Sequence, residues 1–85
     1  MRYKIIFSES AEKRFYRLDR LTREHMSRRL EKASDDPWTA AKRLKGVDYF
    51  ALRAGNYRAI LSIDRESALI MVVDVGHRRE IYQRI

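Results

Sequence analysis

The apolar residues of this chain change period once, and that change limits the fold more than any other feature. Early in the chain they recur at helical spacing, as Ala11, Phe15 and Leu18 and again as Met26, Leu30 and Ala33; from Tyr49 to Val75 they fall in short runs suited to strands. Ahead of both, Tyr3, Ile5 and Phe7 alternate with Arg2, Lys4 and Ile6, which predicts an opening strand. Ser8 is placed to cap the first helix, with Glu9 and Glu12 in its first turn. Thr22 is the expected cap of the second, which Asp35, Asp36 and Pro37 should end. Two helices joined so tightly form an antiparallel hairpin, and such a hairpin needs a sheet to cover.

The second half supplies that sheet. Trp38 and the basic run Lys42, Arg43 and Lys45 before Gly46 form a connection with room for one more helical turn. Strands are then expected over Tyr49–Arg53, Tyr57–Ile63 and Ala68–Val75, with turns at Ala54-Gly55-Asn56 and Asp64-Arg65-Glu66-Ser67. The last run is apolar on both faces and should lie centrally, with the opening strand as its further neighbour. Gly76 should break it and leave His77 to Ile85 as a tail. The reading is therefore α+β: one domain over residues 1–85, with an antiparallel sheet in the order β-α-α-β-β-β and a helical hairpin on one face.

Composition enters at this point. The 85 residues include no cysteine, so disulfides, thiolate zinc sites and cysteine nucleophiles are excluded and the core must carry the fold. That composition suits a reducing cytoplasm. The longest apolar stretch, Ala68 to Val73, is far short of the roughly 20 residues a membrane span needs, so no membrane role is expected. Lys and Arg number 19 against 12 acids, a net +7, and arginine supplies most of the cations. Arginine's planar fork grips phosphate, so the excess points to a polyanionic partner, with solubility as the plainer explanation.

Strand pairing tells part of that excess apart. If the second turn centres on Arg65 and Glu66, Arg58 lies opposite Val73, and Arg53, Arg58, His77, Arg78 and Arg79 gather at one end of the sheet. Tyr82, a helical turn beyond Arg78, could reach back over them, whereas Tyr57 alternates onto the face opposite Arg58. Cations with an imidazole and a phenol suit chemistry on a phosphodiester, which needs a proton acceptor, charge stabilisation and an acid for the leaving oxygen. Only Asp74 is near, which argues against a two-metal nuclease and for a site with no metal or other cofactor. Lys13, Arg14, Arg17, Arg20, Arg28, Arg29 and Lys32 form a helical stripe that reads equally as a solvated face with pairs such as Glu9–Lys13 and Glu24–Arg28. Trp38 reads as packing under the connection, and His25 as a surface residue.

The segments Leu44-Lys45-Gly46, Leu52-Arg53-Ala54-Gly55-Asn56-Tyr57-Arg58 and Val75-Gly76-His77-Arg78-Arg79-Glu80-Ile81-Tyr82 closely resemble the RelE/ParE superfamily of toxins from prokaryotic toxin–antitoxin modules. The resemblance extends over nearly the whole chain. It implies a ribosome-dependent endoribonuclease that cuts messenger RNA in the A site by metal-independent attack of the ribose 2′-hydroxyl. It further implies that Arg58 binds the scissile phosphate, that Arg78 stabilises charge or protonates the leaving group, and that Tyr82 positions the substrate. His77, where the superfamily carries lysine or histidine, is the preferred group for proton transfer. Arg53, Lys45, Arg43, Lys42 and Arg79 are expected to contact RNA. Where many RelE-like toxins have basic residues on the second strand, this chain has Tyr49 and Ala51, so their role is expected to shift onto Arg53, Lys45 or His77. The same departure keeps two other functions open: a ParE-like poison of DNA gyrase, and a degenerate basic binding module. The implied partners are an acidic antitoxin forming a hetero-oligomer with this chain, the ribosome with its message, and operator DNA reached only through the antitoxin.

Overall fold

The structure, a computed structural model, describes residues 2–85. Strand β1 (Lys4–Phe7) runs into helix α1 (Glu9–Arg17) through Ser8. The Ser8 hydroxyl accepts the Ala11 N–H at 3.1 Å, capping the helix, and donates to the Val73 carbonyl at 3.1 Å, which ties that cap to the sheet. Ala11 and Phe15 form the buried stripe, and Phe15 packs on Phe7 at 5.2 Å between ring centres. Helix α2 (Arg20–Asp35) buries Met26, Leu30 and Ala33 as its spacing predicts. Its cap is Asp19 rather than Thr22: the Asp19 carboxylate accepts the Thr22 N–H at 3.2 Å, and the Thr22 hydroxyl turns back to donate to the same carboxylate. Those hydrogen bonds, the hydroxyl's first, hold the Asp19 pKa below the ordinary carboxylate value. The extra helical turn is α3 (Pro37–Ala40), with proline in its first turn where a missing N–H costs nothing.

After α3 the basic connection forms a two-residue strand, β2 (Lys42–Arg43), followed by β3 (Phe50–Ala54), β4 (Tyr57–Asp64) and β5 (Leu69–His77). The sheet order is β1-β5-β4-β3-β2. As the sequence implies, β1 is the outer neighbour of β5, which is an interior strand, although β4 and not β5 is the middle one. The β1–β5 pairing is parallel, with Lys4 opposite Leu69 and Phe7 opposite Val72, so the sheet is mixed and not antiparallel throughout. Helices α1 and α2 lie on one face, here called inner, α1 chiefly over β5 and α2 over β3. Leu52, Ala59, Leu61, Ile70, Val72 and Val75 meet them there in the core.

The register differs from the expected one by three residues. Arg58 stands opposite Gly76, not Val73. Two of the three residues come from the turn, which places Asp64 opposite Leu69; the third comes from a bulge, because Leu61 pairs with Val72 but Ile60 with Asp74. Val73 is the extra residue, and the side-chain alternation of β5 inverts across it. Gly76 consequently does not break the strand, which runs on to His77 before helix α4 (Arg78–Ile81). This short helix packs against β5 and β4, where Ile81 and Ile60 are fully buried outside the inner core.

Candidate functional site

Three features place the candidate residues: the β3–β4 turn, the end of β5 and the start of α4. The turn is a two-residue loop, Gly55-Asn56, with Ala54 opposite Tyr57 and Gly55 at φ 61°, a conformation that favours glycine. Arg53 and Arg58 are directly opposed across it, and Gly76 faces Arg58 on the next strand, so the three share one row on the outer face. The Arg58 Nη1 donates to the carbonyls of Gly55 at 2.9 Å and Tyr57 at 3.0 Å, which holds its guanidinium at the turn. The Arg78 N–H donates to the Asn56 carbonyl at 2.8 Å, binding the first residue of α4 to that same turn. Among the described residues, no carboxylate pairs with Arg53, Arg58, Arg78 or Arg79. Nor does any group of three acids or histidines there form a metal-binding cluster.

His77 reaches the expected end of the sheet from the inner face. It lies opposite Tyr57, so its ring belongs to the inner side, edge-on to Tyr57 at 5.3 Å between centres. Its Nδ1 accepts the Arg79 N–H at 3.2 Å and caps α4. The physical reason is the bulge at Val73, which sets Gly76 on the outer face and His77 on the inner. There His77 lines a cleft of about 340 Å³ with Arg14, Arg17, Tyr57, Glu80 and Arg84. Tyr57 takes the inner face, as the alternation implies.

Tyr82 is 43% exposed. Together with Leu44, Lys45, Val47 and Ile85 it lines a cavity of about 180 Å³ against the loop after β2. Of the three cations in the connection, Arg43 is engaged: it approaches Asp48 at 3.4 Å and lies 5.7 Å from the Phe50 ring centre. Lys42 and Lys45 have no ion pair among the described residues. The helical stripe is partly structural. Lys13 pairs with Glu9 at 3.5 Å as expected, but Glu24 takes Arg20 at 3.3 Å instead of Arg28, and Arg29 donates to the Arg53 carbonyl at 3.0 Å. Trp38 packs edge-on to Phe50 at 5.5 Å, and the Arg65 guanidinium lies 4.6 Å from its ring centre.

One arrangement was not anticipated. Asp74, 6% exposed, receives Arg14 at 2.7 Å from α1 and Arg84 at 2.9 Å from the segment after α4. Burial would raise its pKa, but hydrogen bonds from Arg84, Arg14 and the Val75 N–H outweigh burial and hold the carboxyl below its ordinary 3.8. Arg84 also lies against Gly76, where an added Cβ would come within 2.5 Å of Nη2. This clasp fastens the segment that carries Arg78 and Tyr82. The signal in the sequence was an aspartate inside an otherwise apolar strand, since a buried carboxylate has to be paired.

A mixed five-stranded sheet, two helices on its inner face and an unpaired cationic end on its outer face define a toxin of the RelE/ParE superfamily. The family described as ParE toxin of type II toxin–antitoxin system, parDE, matches residues 5–82, and the chain belongs to it. A RelE-like toxin protein of Escherichia coli is 32% identical over 81 residues, covering 92% of this chain and 85% of its own length. The mRNA interferase toxin RelE of Escherichia coli K12 is 29% identical, covering 96% and 92%. The fold is that of the intact Escherichia coli RelBE toxin–antitoxin complex, with a TM-score of 0.79 at 28% identity over 88% of this chain and 95% of the matched one. The chain is thus a type II toxin–antitoxin toxin, and among the described residues no helix is long and apolar enough to cross a membrane.

Proposed function

We propose that this toxin is an endoribonuclease that cuts messenger RNA in the ribosomal A site. The observation that carries the reading is the Arg53–Arg58 pair. Like charges directly opposed across strands destabilise a sheet, and here neither has a carboxylate to relieve it. A phosphodiester placed over the row would offset that repulsion. Attack of the 2′-oxygen on phosphorus and departure of the 5′-oxygen leave a 2′,3′-cyclic phosphate and a 5′-hydroxyl, with one proton moved and no water consumed. Arg58, held at the turn, contacts the phosphate, and Arg78 at the start of α4 stabilises its growing charge and faces the leaving oxygen. Tyr82 and Lys45 hold the flanking nucleotide by stacking and charge. His77 stands at the strand end with Nε2 free for proton exchange, although its ring is turned to the inner side. An acidic antitoxin is the expected partner, consistent with RelE relatives solved in complex with RelB.

Arg78→Ala should abolish growth arrest while the melting curve stays that of the parent. Primer extension on translated messages should give A-site cuts for the parent and none for the variant; a toxic protein that leaves messages whole overturns the reading. A second reading, poisoning of DNA gyrase, is favoured by the ParE family match and by Ala51 in the middle of the outer face. It predicts inhibited supercoiling and broken DNA in vitro with intact messages.

A further inference from the structure

The outer face carries a further cation beside the row at the turn. Lys42 on β2 is directly opposed to Ala51 on β3, and Ala51 to Ile60 on β4. The pleat therefore sets Lys42 on the same face as Arg53 and Arg58, while Arg43, its neighbour, turns inward over Phe50. Lys42 stands diagonal to Arg53, a separation of about 7–8 Å that long side chains bridge. Ala51 projects only a methyl group between them. Nothing on the protein claims the lysine: it is exposed, with no hydrogen bond or ion pair to its ammonium among the described residues. The one carboxylate in its own row, Asp74, is held by Arg14 and Arg84.

We propose that Lys42 is a catalytic cation of this site, reaching over Ala51 to the non-bridging oxygens of the phosphodiester that Arg53 and Arg58 hold. The inference rests on the endoribonuclease reading and completes it. As the 2′-oxygen bonds to phosphorus and the 5′-oxygen departs, negative charge builds on those oxygens, and the Lys42 Nζ donates to them. No proton is taken from Lys42. The proton lost by the 2′-hydroxyl is matched by the one gained at the 5′-oxygen. The edge strand thereby provides the charge that β3 lacks at Ala51, a part that neither Lys45 nor His77 is placed to fill. Lys45 lies in the loop beside Tyr82, and His77 turns to the opposite face.

The register supplies the test, because moving the cation one strand over keeps it on the same face. Single-turnover cleavage of message on programmed ribosomes is measured for the purified parent, Lys42→Met, Lys42→Arg, and Lys42→Met combined with Ala51→Lys. Lys42→Met should slow cleavage about 100-fold, the usual scale for losing one donor to a developing anion, with little change in the ribosome concentration at half-maximal rate. Lys42→Arg should retain most of the rate, and Ala51→Lys should restore at least tenfold to Lys42→Met. Lys42→Met cleaving within threefold of the parent, or no recovery with Ala51→Lys in a protein that melts like the parent, overturns the assignment. A parent that does not cleave at all overturns the endoribonuclease reading itself, and the role of Lys42 with it.

Discussion

Asp74 is the residue on which the outer end of the molecule depends. It is buried, and its two arginines come from opposite ends of the chain, so one carboxylate joins α1, β5 and the segment after α4. Removing its charge leaves two guanidiniums facing each other. Asp74→Asn should cost about 1–3 kcal/mol at neutral pH, measured by denaturant unfolding. The pH dependence follows from the direction of the shift. The folded pKa lies below 3.8, so the stabilisation is complete above that value and disappears as pH falls through the lower folded value. Acid unfolding followed by circular dichroism should be steeper below about pH 4 for the parent than for Asp74→Asn, and identical slopes would contradict the pairing. Gly76 tests the same clasp from its other side. Gly76→Ala puts a Cβ where the Arg84 guanidinium lies and should cost about 1–2 kcal/mol, whereas in an Arg84→Ala background it should be close to neutral.

At the scale of elements, one hydroxyl ties the start of α1 to the bulge in β5. Ser8 caps the helix and also satisfies the bulge carbonyl of Val73, so Ser8→Ala loses both. A loss of about 1–2 kcal/mol is expected, above that of a simple cap, and Ser8→Thr should recover most of it in thermal melts. The same elements show what could be read from the sequence. The helices and strands were legible because apolar spacing is a local property, and Met26, Leu30 and Ala33 need no tertiary information to mark a buried stripe. The register was not legible. A four-residue turn and a bulge differ from the simple hairpin by chain geometry that no residue type near Arg65 or Val73 announces. The opposite faces of Arg58 and Tyr57 were legible, because alternation in β4 is unbroken. The face of His77 was not, because alternation in β5 is broken. Asp19 took the place of Thr22 as a cap because both residue types cap well and only packing decides where the helix begins.

For the whole molecule, the net +7 divides into cations with internal partners and cations without. Arg2 approaches Asp35 at 3.2 Å, and Arg14 and Arg84 hold Asp74, whereas Lys42, Lys45, Arg53, Arg58, Arg78 and Arg79 have no carboxylate partner among the described residues. Binding to single-stranded RNA should therefore weaken with salt. Arg53→Ala should reduce the slope of log affinity against log salt by about 0.7, the contribution of one phosphate contact. Arg2→Ala should leave that slope unchanged. Equal slopes for Arg53→Ala and the parent in filter-binding titrations would place the RNA elsewhere.

The extra residue at Val73 acts on the last strand as a one-letter insertion acts on a reading frame. Before it, Ile70 and Val72 are in phase with the core; after it, Val75 and His77 are, and Asp74 and Gly76 take the opposite phase. Were Val73 taken into a regular ladder instead of bulging, the two sets would exchange, sending the carboxylate and the glycine toward the helices and Val73 and Val75 toward the outer face. An ordinary valine with no chemistry of its own thus decides which residues downstream of it can take part in any.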